Sequence, residues 1–184
     1  YDMSLKLSFI LPCYNVERYI ADCLDSIYTQ DIPEEEYEVI CVNDCSTDGT
    51  RSIIVDYVLQ HSNLILIDHE QNMNVGETRN TGMKVAKGEY IWFVDPDDMI
   101  RPNAAGEAYN IANSDDLDVF FFNNEVVNEK KEFIKNECVF TDCEILSGQE
   151  FVVRYFPNRF SGLCIVWRCL FKRMFLRDSG MCFP

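Results

Sequence analysis

Short apolar runs alternate with amphipathic stretches through the first two thirds of this 184-residue chain. That is the rhythm of βα units feeding a mostly parallel central sheet flanked by helices, so an α/β fold is expected. With 47% hydrophobic residues, a chain of this length buries roughly 70% of its unfolded surface, enough for one real core. No internal repeat or low-complexity linker divides it, and a single domain over 1–184 is expected.

Leu7 to Leu11 reads as the first strand, ending at Pro12, which cannot donate to a central ladder. Asn15 is placed to cap the next helix, where Ile20, Leu24 and Ile27 share a face. Tyr37 to Val42 is the second strand, and the turn Asn43 to Thr50 leads into a helix striped by Ile53, Ile54, Tyr57 and Val58. Leu64 to Ile67 makes a third strand. Gln71 to Gly76 reads as a polar loop, Thr78 to Lys87 as a helix closed by Gly88, and Tyr90 to Val94 as the fourth strand. Pro102 suits the first turn of a helix through Ile111, and Asp118 to Phe122 supplies a fifth strand. Beyond Asn124 the rhythm changes. Glu125 to Glu137 is charged and irregular, an edge hairpin or excursion, and Ser147-Gly148-Gln149-Glu150 is a capping box opening a short helix through Tyr155. Leu163 to Leu176 fits helix or strand.

The balance of 16 basic against 31 acidic residues gives a net charge of −15, with no basic block to meet nucleic acid. An anionic substrate would need local cations. The nine cysteines are odd in number and several sit inside apolar runs, as Cys41 does, so a reduced, intracellular chain is expected. Cys138/Cys143 and Cys164/Cys169 have four residues between partners, and only His61 and His69 could assist them; small buried hydrophobes fit better than zinc ligands. Neither a signal peptide nor a membrane span is legible.

Chemistry gathers where strands end. Ile91-Trp92-Phe93-Val94 stops at Asp95-Pro96-Asp97-Asp98, three acids in four positions. Carboxylates held that close repel by roughly 4 kcal/mol per pair at 4 Å and an effective dielectric near 20, unless a cation sits among them. Oxygen-only ligands suit Mg²⁺ or Mn²⁺ and a phosphate-bearing ligand. The other reading is an acidic surface turn in which Asp caps the next helix. In open α/β sheets ligands bind outside the carboxyl ends of strands, and Pro12-Cys13-Tyr14-Asn15, Asn43-Asp44 and the acidic cluster all fall there. GxxxxGK[ST] and GxGxxG are both absent.

Taken in order, Leu11-Pro12-Cys13-Tyr14-Asn15, Val42 to Thr50, Gly76-Glu77-Thr78-Arg79-Asn80-Thr81-Gly82, Lys87 to Phe93 and Asp95-Pro96-Asp97-Asp98 resemble the family 2 nucleotide-sugar glycosyltransferases. The resemblance covers about the first hundred residues. It implies a GT-A-type, Rossmann-like sandwich and an inverting enzyme that binds a UDP-sugar with Mg²⁺ or Mn²⁺ and transfers the sugar to a glycan or lipid-linked acceptor, in cell-surface polysaccharide synthesis. It further implies that Pro12 and Tyr14 border the nucleobase and that Asp44 accepts from the uracil ring or ribose, as an acceptor-only group would. Arg79 is the implied counter-charge near base and diphosphate, Asp95 lies near ribose or metal, Asp97 is a metal ligand, and Asp98 orients these or caps a helix. Asx turns are the alternative for Asp44 and Asp48, and a surface pairing with Glu77 for Arg79.

Trp167 to Arg173 and Gly180-Met181-Cys182-Phe183-Pro184 resemble the approach to an acidic pair that supplies the family's general base, which places that base beyond Pro184 and implies little transfer by the residues given. Asp142, Glu144 and Asp178 are substitutes that no spacing recommends. The rivals are a non-catalytic nucleotide-sugar-binding module and a nucleotidyltransferase, whose glycine-rich basic loop is missing. The expected location is the cytoplasm, at the inner face of the membrane for a full-length protein with an anchor past Pro184.

Overall fold

The computed structural model describes residues 5–128, 130–137, 144–155 and 166–184. Cys138, Cys143, Cys164 and Asp142 lie outside these. The chain divides into two compact units, Tyr1–Phe120 with Leu170–Pro184, and Phe121–Cys169.

The first unit is built on β1 (Leu7–Cys13), β2 (Tyr37–Asn43), β3 (Leu64–Asp68) and β4 (Tyr90–Phe93). The full sheet has the order β3-β2-β1-β4-β8-β5, with β5 at Val119–Phe121 and β8 at Cys169–Lys172. Pairings β1–β2, β1–β4 and β2–β3 are parallel, and β8 runs antiparallel to β4, with Ile91 opposite Phe171. Every residue of β1 and β2 is buried, as expected of parallel strands covered on both faces. Helices α1 (Ile20–Tyr28), α2 (Thr50–Val58), α3 (Asn74–Val85) and α4 (Ala104–Ser114) connect the strands. On α1, Ile20, Leu24 and Ile27 are fully buried, each contributing about 1.5–3 kcal/mol. The strand order reverses between β1 and β4, so a crevice opens at their carboxyl ends.

Several boundaries differ from expectation, each for a reason. Strand β1 continues through Pro12, which pairs with Val42. Ile10 O accepts from Val94 N–H on the β4 side, and Cys13 O accepts from Asp44 N–H on the β2 side. Alternation therefore points the missing Pro12 N–H toward β4, which has already ended, and no ladder bond is lost. Asn15 does not cap α1; it sits at φ 53° and bridges to the next loop. On α2 only Thr50 and Ile54 are buried, while Val58 is exposed.

Helix α3 starts at Asn74 instead of Thr78, because Asn74 Oδ1 accepts the N–H groups of Gly76 (2.8 Å) and Glu77 (3.2 Å). Gly88 is not its cap. A Cβ on Gly88 would lie 2.5 Å from the Leu7 and Ser8 backbone, so the glycine lets β1 pass. Helix α4 starts at Ala104, after Pro102; its first N–H groups are met from the loop after α1, Ala105 by Gln30 Oε1 (3.0 Å) and Gly106 by Asp31 Oδ1 (3.2 Å). A further helix, α6 (Arg173–Asp178), follows β8 and resolves the ambiguous C-terminal stretch as strand, then helix.

The second unit carries a hairpin of β6 (Asn124–Val127) and β7 (Phe133–Glu137) and a helix, α5 (Gly148–Tyr155). The capping box forms: Ser147 Oγ accepts from Glu150 N–H (3.3 Å), and Glu150 Oε2 accepts from Ser147 N–H (2.9 Å). Phe121 stacks on Phe151 with centroids 4.6 Å apart, and buried Arg168 reaches Glu137 Oε2 at 2.6 Å.

Candidate functional site

The carboxyl ends of β1, β2, β3 and β4 share one edge of the sheet. The loops after β1 and β2 are stitched together there. Asn15 Oδ1 accepts from Thr47 N–H (2.8 Å), Glu17 Oε2 accepts from Gly49 N–H (2.7 Å), and Asp48 accepts from Glu17 N–H (3.1 Å) and Thr50 N–H (3.0 Å). Burial pushes the Asp48 carboxyl up, but hydrogen bonds from Thr50 and Glu17 outweigh it and hold it below the usual carboxylate range. Asp48 is thus the loop-shaping residue of its alternative reading. Tyr14, 50% exposed, projects beside this double loop, and Pro12 is buried at its base.

Asp44 follows β2 with its side chain only 3% exposed. Its Oδ1 accepts from Met73 N–H (2.8 Å) and lies 2.7 Å from His69 Nδ1. A carboxylate only accepts, so Nδ1 carries a proton, an assignment made from the hydrogen-bond network. His69 Nε2 bonds the Thr81 hydroxyl of α3 at 3.0 Å. Both donors fall on Oδ1, and among the described residues none reaches Oδ2. That leaves Oδ2 open to water or to a donor on a ligand. Sequence reasoning weighs His69 only as a zinc ligand; its place directly after β3, on the same edge, is the available signal.

Arg79 stands on α3, and its Nη2 donates to Asp95 Oδ1 at 2.8 Å, not to Glu77. The Phe183 ring lies 5.5 Å from its guanidinium carbon, and its buried Nε has no partner among the described residues. Asn80 clamps the neighbouring backbone, donating to Phe183 O (3.0 Å) and accepting from Phe183 N–H (2.9 Å), while Phe183 meets Phe93 edge-on at 5.1 Å. A Cβ on Gly76 would stand 2.0 Å from Pro184 O, so glycine permits this approach.

The acidic cluster is a tight turn in which Asp98 N–H bonds Asp95 O at 2.9 Å. Asp97 is exposed. Beneath the turn, burial pushes the Cys23 thiol well up, with Cys41 and the carboxylates Asp98, Asp97 and Asp95 adding to it. Hydrogen bonding with Cys41 and burial raise Cys13 in the same way, so both stay protonated. The six described cysteines are all free thiols.

Among the described residues no group of three or more His, Cys, Asp or Glu side chains is placed to hold a metal unaided. The donors that exist, Asp97 and the second oxygen of Asp95, are hard oxygens. They fit an ion of the Mg²⁺ type, which takes one or two carboxylates and completes its shell with substrate phosphates and water. Asp178 is exposed and paired with Arg177 at 3.0 Å, and Glu144 is exposed. No described helix is long and apolar enough to cross a membrane.

These features define a GT-A-type α/β domain with its polar residues gathered at the switch-point edge. Residues 8–178 match the glycosyl transferase family 2 model, and the chain belongs to that family. It is similar to a poly(ribitol-phosphate) beta-glucosyltransferase of Bacillus spizizenii, 41% identical over 116 residues, which are 62% of this chain and 18% of that protein. It is also similar to the poly(ribitol-phosphate) beta-N-acetylglucosaminyltransferase TarS of Staphylococcus aureus, 38% identical over 125 residues, 67% of this chain and 22% of that one. The crystal structure of S. aureus TarS 1-349 with UDP superposes with a TM-score of 0.80 at 30% identity, over 98% of this chain and 50% of that chain. A complex of the same protein with UDP-GlcNAc gives the same score. The chain thus spans half the length of these solved relatives and about a fifth of the curated ones.

Proposed function

We propose that the chain forms the donor-binding part of an inverting glycosyltransferase that takes a UDP-sugar with Mg²⁺ or Mn²⁺ and passes the sugar to a glycan, lipid-linked or cell-wall polymer acceptor. The observation that carries this reading is Asp44, whose Oδ1 is occupied by His69 and Met73 while Oδ2 is left for a ligand. Uracil offers an imide N–H, which an acceptor-only group reads well. Pro12 and Tyr14 border the base, and Asp95 lies toward the ribose and diphosphate. Arg79, already paired with Asp95, brings positive charge to the diphosphate. Asp97 and Asp95 would hold the metal, which when bound stabilises the charge developing on the departing nucleoside diphosphate. Asp98 closes the turn that presents them.

Relatives named for transfer of glucose and N-acetylglucosamine to poly(ribitol-phosphate), and a related structure holding UDP, support this donor and this class of acceptor. Calorimetric titration of UDP with and without Mn²⁺ tests the reading. Tighter binding with metal is expected, and Asp97→Ala should lose that dependence while keeping its melting temperature. Absent or metal-independent UDP binding removes the transferase reading; metal dependence surviving in Asp97→Ala moves the ligand role to another residue.

A further inference from the structure

A second cleft, of about 510 Å³, lies along α3 and α6 in the same compact unit as the donor edge. Its floor is apolar, formed by the buried Ala86, Ile91 and Leu176. Lys84, Arg173 and Arg177 also line it, against one acid, Glu77. On this chain that is unusual company. Acids outnumber bases 31 to 16, and several cations elsewhere on this unit are tied to carboxylates, as in Lys6–Glu36, Arg51–Asp68 and Lys172–Asp116. In the cleft, Lys84 has no carboxylate partner among the described residues. Arg173 spends its Nε on Gly88 O (2.7 Å) and likewise meets no acid among them. Arg177 pairs with its exposed neighbour Asp178, a surface pair worth little.

We propose that this cleft docks the phosphodiester backbone of an alditol-phosphate polymer, the acceptor for sugar transfer. The inference rests on the glycosyltransferase reading and adds to it the place of the acceptor. A chain of net charge −15 repels an extended polyanion over most of its surface, and here two cations without a described carboxylate partner, Lys84 and Arg173, stand with the weakly paired Arg177 over an apolar floor that suits the carbon stretches between phosphates. A neutral glycan would draw no benefit from them. The location also fits. Asn80 and Cys182 line the cleft, and their chain neighbours Arg79 and Phe183 pack together at the donor edge, so a polymer lying in the cleft passes beside the Arg79–Asp95 pair.

The test measures binding of poly(ribitol phosphate), of free ribitol and of phosphatidylglycerol vesicles to the native chain and to a Lys84→Glu/Arg177→Glu double variant, with UDP titrated into the same samples. Neither position belongs to the donor site, so UDP affinity should be unchanged. Polymer affinity should fall about tenfold or more on charge reversal and lose its dependence on salt, while a Lys84→Arg/Arg177→Lys pair keeps both. Ribitol should not bind. Polymer binding that is indifferent to charge reversal overturns the proposal while leaving the donor reading intact, and a native chain that prefers anionic vesicles reassigns the cleft to a membrane surface. Failure of the native chain to bind UDP sinks the donor reading instead.

Discussion

Replacing Asp44 by Asn exchanges one atom and inverts what the site can read. Two donors, His69 Nδ1–H at 2.7 Å and Met73 N–H at 2.8 Å, converge on Oδ1, so the introduced amide must keep its oxygen there and turn its NH₂ to where Oδ2 now stands. The fold should survive, because both donors stay partnered; a stability loss of about 1 kcal/mol is expected. Uracil, however, presents an N–H, and two donors would then face each other. Losing a hydrogen bond to a charged acceptor costs about 1.5–3 kcal/mol, which at 1.4 kcal/mol per decade is a fall of about 10- to 150-fold in UDP affinity. Cytosine has an acceptor at the same ring position, so CDP should gain on UDP. Titration of both nucleotides into native and Asp44→Asn protein at fixed Mn²⁺ measures this. UDP affinity within about twofold of native, or CDP weakened as much as UDP, would refute the reasoning.

Other substitutions probe the support around this carboxylate. His69→Ala should lower UDP affinity without touching metal dependence, and His69→Asn, whose amide can stand in for Nδ1–H, should restore much of it; equal loss in both variants would show that His69 acts through packing alone. Gly88→Ala drives a Cβ to 2.5 Å from the β1 backbone, which has no room to give, and should destabilise by about 1–3 kcal/mol, read from urea denaturation. The Asp68 carboxyl is held below its usual range first by the Arg51 guanidinium, against burial, and also by Asn43. A depressed carboxyl contributes stability that is complete above the unfolded pKa of about 3.9 and is lost as pH falls through the lower folded value. Melting temperature should therefore hold from neutral pH to about 5 and drop below about 4, with Asp68→Asn dropping less steeply.

The sheet, its parallel core and the convergence of Pro12 to Asn15, Asn43-Asp44 and the Asp95 to Asp98 cluster on one edge are legible because they follow from apolar rhythm and from where polar residues interrupt it, whereas Arg79 is reached only through the family resemblance. What escapes are features set by distant partners. The start of α4 is met by Gln30 and Asp31, more than seventy residues earlier, and no local pattern reports that. Pro12 reads as a strand breaker because a sequence does not say on which side the neighbouring strand has already ended. His69 is invisible as a partner of Asp44 because an isolated histidine carries no periodic signal; only the β2–β3 register, Asn43 beside Asp68, puts the residues that follow them side by side.

At the end of the sheet opposite the ligands, Glu38 Oε1 accepts from the Ser8 hydroxyl (2.6 Å) and from Lys87 N–H (2.5 Å), and Ser8 Oγ accepts from Gly88 N–H (2.8 Å). This buried knot anchors the segment that feeds β4, and β4 delivers Asp95 and Asp97. A strand whose start is freed by one residue shows its other face at its tip. A lesion at Glu38 would therefore masquerade, in any screen for lost activity, as damage to the acidic turn, and only a probe of strand alignment would tell the two apart.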